Sequence, residues 1–375
     1  MGGSYQPNLY SPLQFHTHLA AFEAGSDTPR AYLERCLETI AARESVVQAW
    51  VTLNESGARA QADASTERRR SGRPLSEIDG MPVGIKDLLE TKDMPTQLGC
   101  AAFTGNFPKR DNAAVWALRE AGAVILGKTV TSELGGAHPG PTTNPFGPAH
   151  TPGGSSSGSA AAVGAGMVPA ALGTQVGGSI IRPASFCANY ALKPSQGAIN
   201  RGERQATSMS THGPHAGSLE DMWAVAIEVA LRAGGDPGRE ALSGPTALPP
   251  AHKPRLLAVM ETEGWSALDD ASRAAFEQVV AQLAGAGVQI LRRTESPELE
   301  SFERALVGAG ALAAEITAWE NHWLTRNLVT QNPDGVSARG RRVIDVAERV
   351  GVAGYRERIL KRAALRDRYG ALAGR

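Results

Sequence analysis

Apolar positions recur along this chain at two periods, and the alternation between them predicts an α/β protein. Ser11-Pro12 reads as a helix start, followed by Phe15, Leu19 and Phe22 at helical spacing and Gly25 as the stop. Thr28-Pro29 repeats the signal, and Tyr32, Leu33, Cys36, Leu37 and Ile40 form an apolar stripe that makes Cys36 a core residue. Residues 48–54 have strand composition, and 58–70 are helical but polar, ending in Arg68-Arg69-Arg70, which reads as a solvated helix end. The compact segment 80–88 predicts a buried strand and turn around Val83 and Ile85. Lys86 stands inside it, and from this segment alone its ammonium is expected to snorkel outward. Asp111 or Asn112 caps a helix to Glu120, Gly122 closes it, and 123–128 is a buried strand.

The second half continues the pattern. The cluster Asn144-Pro145-Phe146-Gly147-Pro148 is a turn, and Ser218-Leu219-Glu220-Asp221 is a capping box opening a helix to about Leu231. Residues 234–253 are a Gly/Pro-rich surface connection. A strand at 255–260, an amphipathic helix at 271–283 and a strand at 288–291 predict a βαβ-like unit. Residues 299–327 read as one helix with Trp319 and Trp323 on a packed face, and 339–375, with eleven basic and four acidic residues, as a solvated helix.

Composition narrows the class. With 375 residues, 42% apolar and 20% charged, the chain is an ordinary globular protein longer than one core usually serves. Lys plus Arg balances Asp plus Glu at 38 each, so no global field favours nucleic acid or a membrane. Three cysteines without paired spacing argue against a disulfide framework or zinc site and suit a reducing cytoplasm. The N-terminal MGGSYQPNLYSPLQ lacks the features of a signal peptide, and 160–172 is too short and glycine-broken to span a membrane. A cytoplasmic location is expected.

Chemistry concentrates at 153–183, GGSSSGSAAAVGAGMVPAALGTQVGGSIIRP. Two serine-bearing glycine turns, Gly153-Gly154-Ser155 and Gly177-Gly178-Ser179, flank a run of small apolar residues too long to be a linker in water. Glycine pairs permit the backbone geometry that exposes a hydroxyl beside converging N–H groups, which acyl transfer needs. A phosphate loop lacks its lysine, and a dinucleotide fingerprint fails because Pro169 stands where the third glycine belongs. Gly154-Ser155-Ser156-Ser157-Gly158 fits the G-x-S-x-G elbow of α/β-hydrolases, with His212, His215, His252 and His322 as available bases, but 150–153 is a poor strand to precede it.

Residues from about 80 to 225 resemble the amidase signature family, through GMPVGIKDLLET, GGSSSGSAAAVGAGMVPAALGT, GGSIIRPA and the looser KPSQG and GPHAGSLED. The resemblance implies an amidase-signature α/β fold with a mixed central β-sheet covered by helices on both faces. It implies an amidase that hydrolyses a C–N bond of a small substrate with no metal or cofactor. Carried over by position, the nucleophile falls on Ser179, the bridging serine on Ser155 after a cis peptide bond, and the base on Lys86. The oxyanion-hole amides fall on Val176, Gly177, Gly178 and Ser179. Gln175 and Arg182 resemble the malonamidase-type branch, in which an arginine at this place contacts a substrate carboxylate; a structural salt bridge is the competing expectation for Arg182. The partner implied is a small-molecule amide, with no nucleic acid and no membrane, and a homo-oligomer stays open. Three regions are expected: 1–75, N-terminal and helical; 76–235, the signature core; and 236–375, an α/β region continuing the same fold and lacking the C-terminal segment of the family. An amidotransferase of the A type, an α/β-hydrolase-like esterase and a non-catalytic interaction protein are the alternatives.

Overall fold

The computed structural model describes residues 11–136, 138–202 and 207–373, and the chain divides into two units. The first, Met1–Pro249 with Asn321–Val343, is built on a six-stranded sheet. Its strands are β1 (Trp50–Leu53), β2 (Pro82–Lys86), β3 (Val124–Thr129), β4 (Ala170–Gln175), β5 (Tyr190–Ala191) and β6 (Thr211–Ala216), in the order β1-β3-β2-β4-β6-β5. β3, β2 and β4 run parallel, while β1, β6 and β5 are antiparallel to their neighbours, so the sheet is mixed.

Helices cover both faces because the strands are apolar on both. Along β3, Ile125 faces one core while Val124 and Leu126 face the other; along β4, Ala170 and Leu172 part from Ala171 in the same way. The first face packs on α4 (Ala113–Glu120) and α7 (Leu219–Ala233), through Leu118, Val225 and Val229 among others. The second packs on α2 (Pro29–Val47), α3 (Glu55–Arg70) and α5 (Ser157–Gly164), through Leu33, Leu37, Ala62 and the alanines of α5. The short α6 (Ile181–Phe186) follows the second glycine turn. The expected caps form: Thr28, Asn112 and Ser218 each accept an N–H from the helix that follows.

Three local expectations need correction. No helix starts at Ser11-Pro12; a single 3-10 turn at His16–His18 leads into the short α1 (Leu19–Glu23). The Phe15 and His16 N–H groups donate to the Asp221 carboxylate at 2.7 and 2.9 Å, which caps this segment from α7. Arg68-Arg69-Arg70 is not a solvated run. Arg68 clamps the buried Asp79 carboxylate, and the buried Arg69 donates to the carbonyls of Asp79 and Glu77, leaving only Arg70 in water. Lys86 does not snorkel: all of β2 is buried and the lysine with it.

The second unit is Pro250–Glu320 with Ile344–Arg375. Here β7 (Leu256–Ala258) and β8 (Gln289–Leu291) pair in parallel as a separate two-stranded sheet, connected by α8 (Asp270–Gly285). The helix expected over 299–327 is two, α9 (Pro297–Leu306) and α10 (Ala309–Gln331), with Gly308 at φ +78° between them. Trp319 stacks on Tyr355, whereas Trp323 is 66% exposed, so only one of the two tryptophans is packed. The basic C-terminal stretch forms α11 (Ala338–Ala373), which is broken by a kink at Gly351 (φ +60°) and is mostly exposed along its length. Among the described residues no helix is long and apolar enough to cross a membrane.

Candidate active site

The parallel strands β2 and β4 end side by side, and open α/β sheets commonly bind ligands beyond such carboxyl ends. Lys86 closes β2 and is fully buried. Its Nζ lies 2.8 Å from Ser155 Oγ, 3.0 Å from Thr174 Oγ1 and 3.3 Å from the Thr174 carbonyl oxygen. None of these partners is charged. Burial alone holds the Lys86 ammonium well below the ordinary lysine pKa, because a cation in this setting loses hydration without a counter-ion to replace it.

Ser155 follows a cis Gly154–Ser155 peptide bond. Its carbonyl accepts the Ser132 N–H at 3.1 Å, which ties the glycine turn to the loop after β3. Helix α5 starts directly behind, and its position explains one glycine of the GGSSSGS run. A Cβ on Gly158 would collide with the Ala49 carbonyl oxygen and the Val130 nitrogen. Ser156 Oγ lies 3.3 Å from Thr174 N, which donates to it, and 3.2 Å from the Thr174 carbonyl, to which it donates. Strand β4 thereby gains a partner past the last residue it pairs with on β2.

Ser179 is nearly buried, and its carbonyl accepts the Ser156 N–H at 3.2 Å, which joins the two glycine turns. Its hydroxyl has no hydrogen-bond partner among the described residues, and the Ser155 and Ser179 side chains are not hydrogen-bonded to each other. The N–H groups of Val176, Gly177, Gly178 and Ser179 donate to no acceptor among the described residues. Gly178 sits at φ +94°, a conformation that turns successive amides toward one point and that a side chain would disfavour. Uncommitted amides beside a free hydroxyl suit a developing oxyanion.

Gln175 and Arg182 have backbone duties. The Gln175 carboxamide oxygen accepts from the N–H groups of Ile180 and Ile181 at 2.8 and 3.0 Å, pinning the turn after Ser179 rather than facing outward. The exposed Arg182 guanidinium holds the Gly154 carbonyl through Nε at 3.1 Å and Nη2 at 2.9 Å, with a longer contact to the Gly177 carbonyl. It pairs with no carboxylate among the described residues, so the salt-bridge expectation fails and its charge is unmet.

Thr174 hydrogen-bonds Lys86 and Ser156 hydrogen-bonds Thr174, and the sequence pattern named neither as a site residue. The available signal was a polar residue at the inward end of an otherwise apolar strand, AALGTQ. The elbow alternative gains nothing. The segment before Gly154 is not a strand, and no histidine hydrogen-bonds Ser155, Ser156 or Ser179 among the described residues. His212 lies opposite Thr174 in the β4–β6 register, with its pKa pushed down to about 3 by burial and then by the Arg201 charge.

Known proteins that resemble this chain fall in one family. The amidase family profile matches residues 31–369. A glutamyl-tRNA(Gln) amidotransferase polypeptide of the A type from Chloroflexus aurantiacus is 41% identical over 238 residues, 61% of this chain and 48% of the relative. The chain thus spans about half the length of the curated relatives it matches. A crystal structure of an amidase superposes with a TM-score of 0.81 at 28% identity, covering 95% of this chain and 79% of the other. A fatty acid amide hydrolase shares the fold at a TM-score of 0.79 and 22% identity, covering 99% and 67%.

Proposed function

Because the chain belongs to the amidase signature family, we propose that it is a serine amidase that hydrolyses the C–N bond of a small amide through Ser179, Ser155 and Lys86. The observation that carries this reading is the buried, counter-ion-free Lys86 placed 2.8 Å from Ser155 Oγ. A lysine can take a proton only when neutral, and burial supplies the neutral form. Ser179 Oγ attacks the amide carbon while its proton passes to Ser155 Oγ and that of Ser155 to Lys86 Nζ. The carbonyl oxygen gains charge against the free amides of 176–179. Collapse breaks the C–N bond, and the relay returns a proton to the leaving nitrogen. Water then attacks the acyl-Ser179 ester, activated by the same relay, and releases the acid.

Ser179→Ala is expected to lower kcat at least about 10³-fold and to abolish labelling by a fluorophosphonate, with Lys86→Ala nearly as severe and His322→Ala close to wild type. An active Lys86→Ala beside a dead histidine variant would favour the α/β-hydrolase reading instead. The malonamidase-like assignment adds that Arg182 prefers a substrate carboxylate, supported by its exposed, unmet charge beside the Gly154 turn. The 41% identical relative favours one further reading, an amidotransferase component that passes ammonia to a partner protein. Co-purification of a stable partner, with amide hydrolysis that depends on it, would favour that reading.

A further inference from the structure

The turn between α10 and α11 belongs to the first unit, and the proposed chemistry uses nothing from it. It is braced from within. Arg341 donates to the Val336 carbonyl at 2.8 Å and to the Pro333 carbonyl. Ser337 caps α11: its hydroxyl accepts the Gly340 N–H and its carbonyl the Arg341 N–H, both at 3.0 Å. Glu133, more than 200 residues earlier, reaches into this helix start. Its Oε1 accepts the Ser337 N–H at 2.9 Å, and its Oε2 accepts the Ser337 hydroxyl. The carboxylate is nearly buried and pairs with no cation among the described residues. Two donors and the positive end of α11 stand in for the water it has lost.

Glu133 is part of the turn 132–136, and that turn is bonded to the proposed relay. Ser132 donates its N–H to the Ser155 carbonyl at 3.1 Å and its hydroxyl to the Gly136 carbonyl at 2.6 Å. The N–H groups of Gly135 and Gly136 close back on the carbonyls of Ser132 and Glu133 at 2.9 and 2.7 Å. Leu134, at φ +52°, donates its N–H at 2.8 Å to the carbonyl of Leu98, itself at φ +58°. Left-handed leucines are strained and persist only where their surroundings enforce the conformation. Here both pack on a cluster that Leu328 of α10 and Val336 of the following turn form with Cys100. The Leu98 N–H in turn donates to the Asp87 carbonyl at 3.0 Å, one residue past Lys86. The strained pair therefore runs into the site twice, through Ser132 to Ser155 and through Leu98 to the end of β2.

Resting on the amidase reading, we infer that Glu133 is a positioning residue for amide hydrolysis: through Ser337 it anchors the turn 132–136 to the start of α11, and that turn holds Ser155 in place between Ser179 and Lys86. One test needs no turnover. Hydrogen exchange of the full chain, read by mass spectrometry, is expected to quicken about tenfold over 130–136 in Glu133→Ala and in Ser337→Ala, and to stay within about twofold over β2. Unchanged exchange over 130–136, or an equal gain over β2, overturns the inference whether or not the protein is an amidase. In the kinetic test, Glu133→Ala is expected to lower kcat about tenfold with KM within about twofold, because Ser155 relays its proton only in the transition state. Glu133→Gln keeps an oxygen for the Ser337 N–H and is expected to recover most of the loss. Ser337→Ala is expected to lower kcat about threefold alone and to add nothing in the Glu133→Ala background, since the two residues form one link. An unmoved kcat, no recovery in Glu133→Gln, or additive losses would show that Glu133 only packs. Absence of amide turnover in the wild type would sink the amidase reading and leave the exchange result to decide whether Glu133 orders the turn.

Discussion

Replacing Lys86 by methionine separates its charge state from its catalytic role. Burial lowers the folded-state pKa of this lysine, whereas the unfolded lysine titrates near ~10.4. Between those values the unfolded chain binds one more proton than the folded one, so wild-type stability rises with pH across that window and is lowest below it. The slope within that window is about 1.4 kcal/mol per pH unit. Methionine has similar volume and no proton to lose, but it leaves Ser155 Oγ and Thr174 Oγ1 without the lysine partner they have at 2.8 and 3.0 Å. Each orphaned hydroxyl costs about 1–3 kcal/mol. At lower pH the two effects oppose one another, so the expected difference is smaller there than at high pH. Near pH 10.5 only the loss remains, and the variant is the weaker protein by a few kcal/mol. Urea unfolding of both proteins by tryptophan fluorescence, from pH 7 to 10.5, measures the divergence. Parallel stability curves would mean that Lys86 is charged in the fold, and the lysine-base mechanism would fall with them.

The same lowered pKa predicts that kcat/KM falls on the acid side as Lys86 gains its proton, at a pH below the free lysine value of about 10.4; a rate flat down to acid unfolding would contradict it. Thr174→Asp places a carboxylate where the Lys86 hydroxyl partner now lies at 3.0 Å, and the pair is expected to hold the ammonium, raising the acid limb and removing most activity at pH 7 while alkaline pH restores part of it. Arg182→Leu is expected to erase any preference for amides that carry a carboxylate, with a loss of about tenfold or more on those substrates and little on neutral ones; equal loss on both would assign Arg182 to holding the Gly154 carbonyl.

What the sequence disclosed follows from how local each signal is. Strand β2, helix α2 and the cap of α7 rest on neighbouring residues, and all formed where capping residues and apolar stripes placed them. The mixed sheet with helices on both faces was legible because its central strands are apolar at consecutive positions. Failures came where a distant residue decides. Ser11-Pro12 carries a helix-start signal, but the Phe15 and His16 N–H groups that such a helix would turn back on its own carbonyls are taken by Asp221, more than 200 residues away. Arg68 and Arg69 look like surface charge until Asp79 and its carbonyl are seen beside them. Thr174 escaped for the same reason. Nothing near it in sequence announces that it meets Lys86, 88 residues earlier.

A comparison within the sheet supports the proposal that Lys86 is the base. Lys128 is buried as completely, on the adjacent strand, where the register pairs it with Ile85. Burial lowers the Lys128 pKa too, but Asp87 opposes the shift from 3.1 Å, and Thr96 Oγ1 and the Pro95 carbonyl complete its shell. Lys128 thus keeps a counter-ion and acts as a fastener between β2 and β3, where removing one partner would strand the other charge. Lys86 precedes that aspartate by one residue, and strand alternation sends the two side chains to opposite faces. The carboxylate that would charge Lys86 is therefore committed to Lys128, and the surroundings of Lys86 offer only hydroxyls and a carbonyl. Two equally buried lysines on neighbouring strands differ by one carboxylate, and Lys86 is the one without a counter-ion.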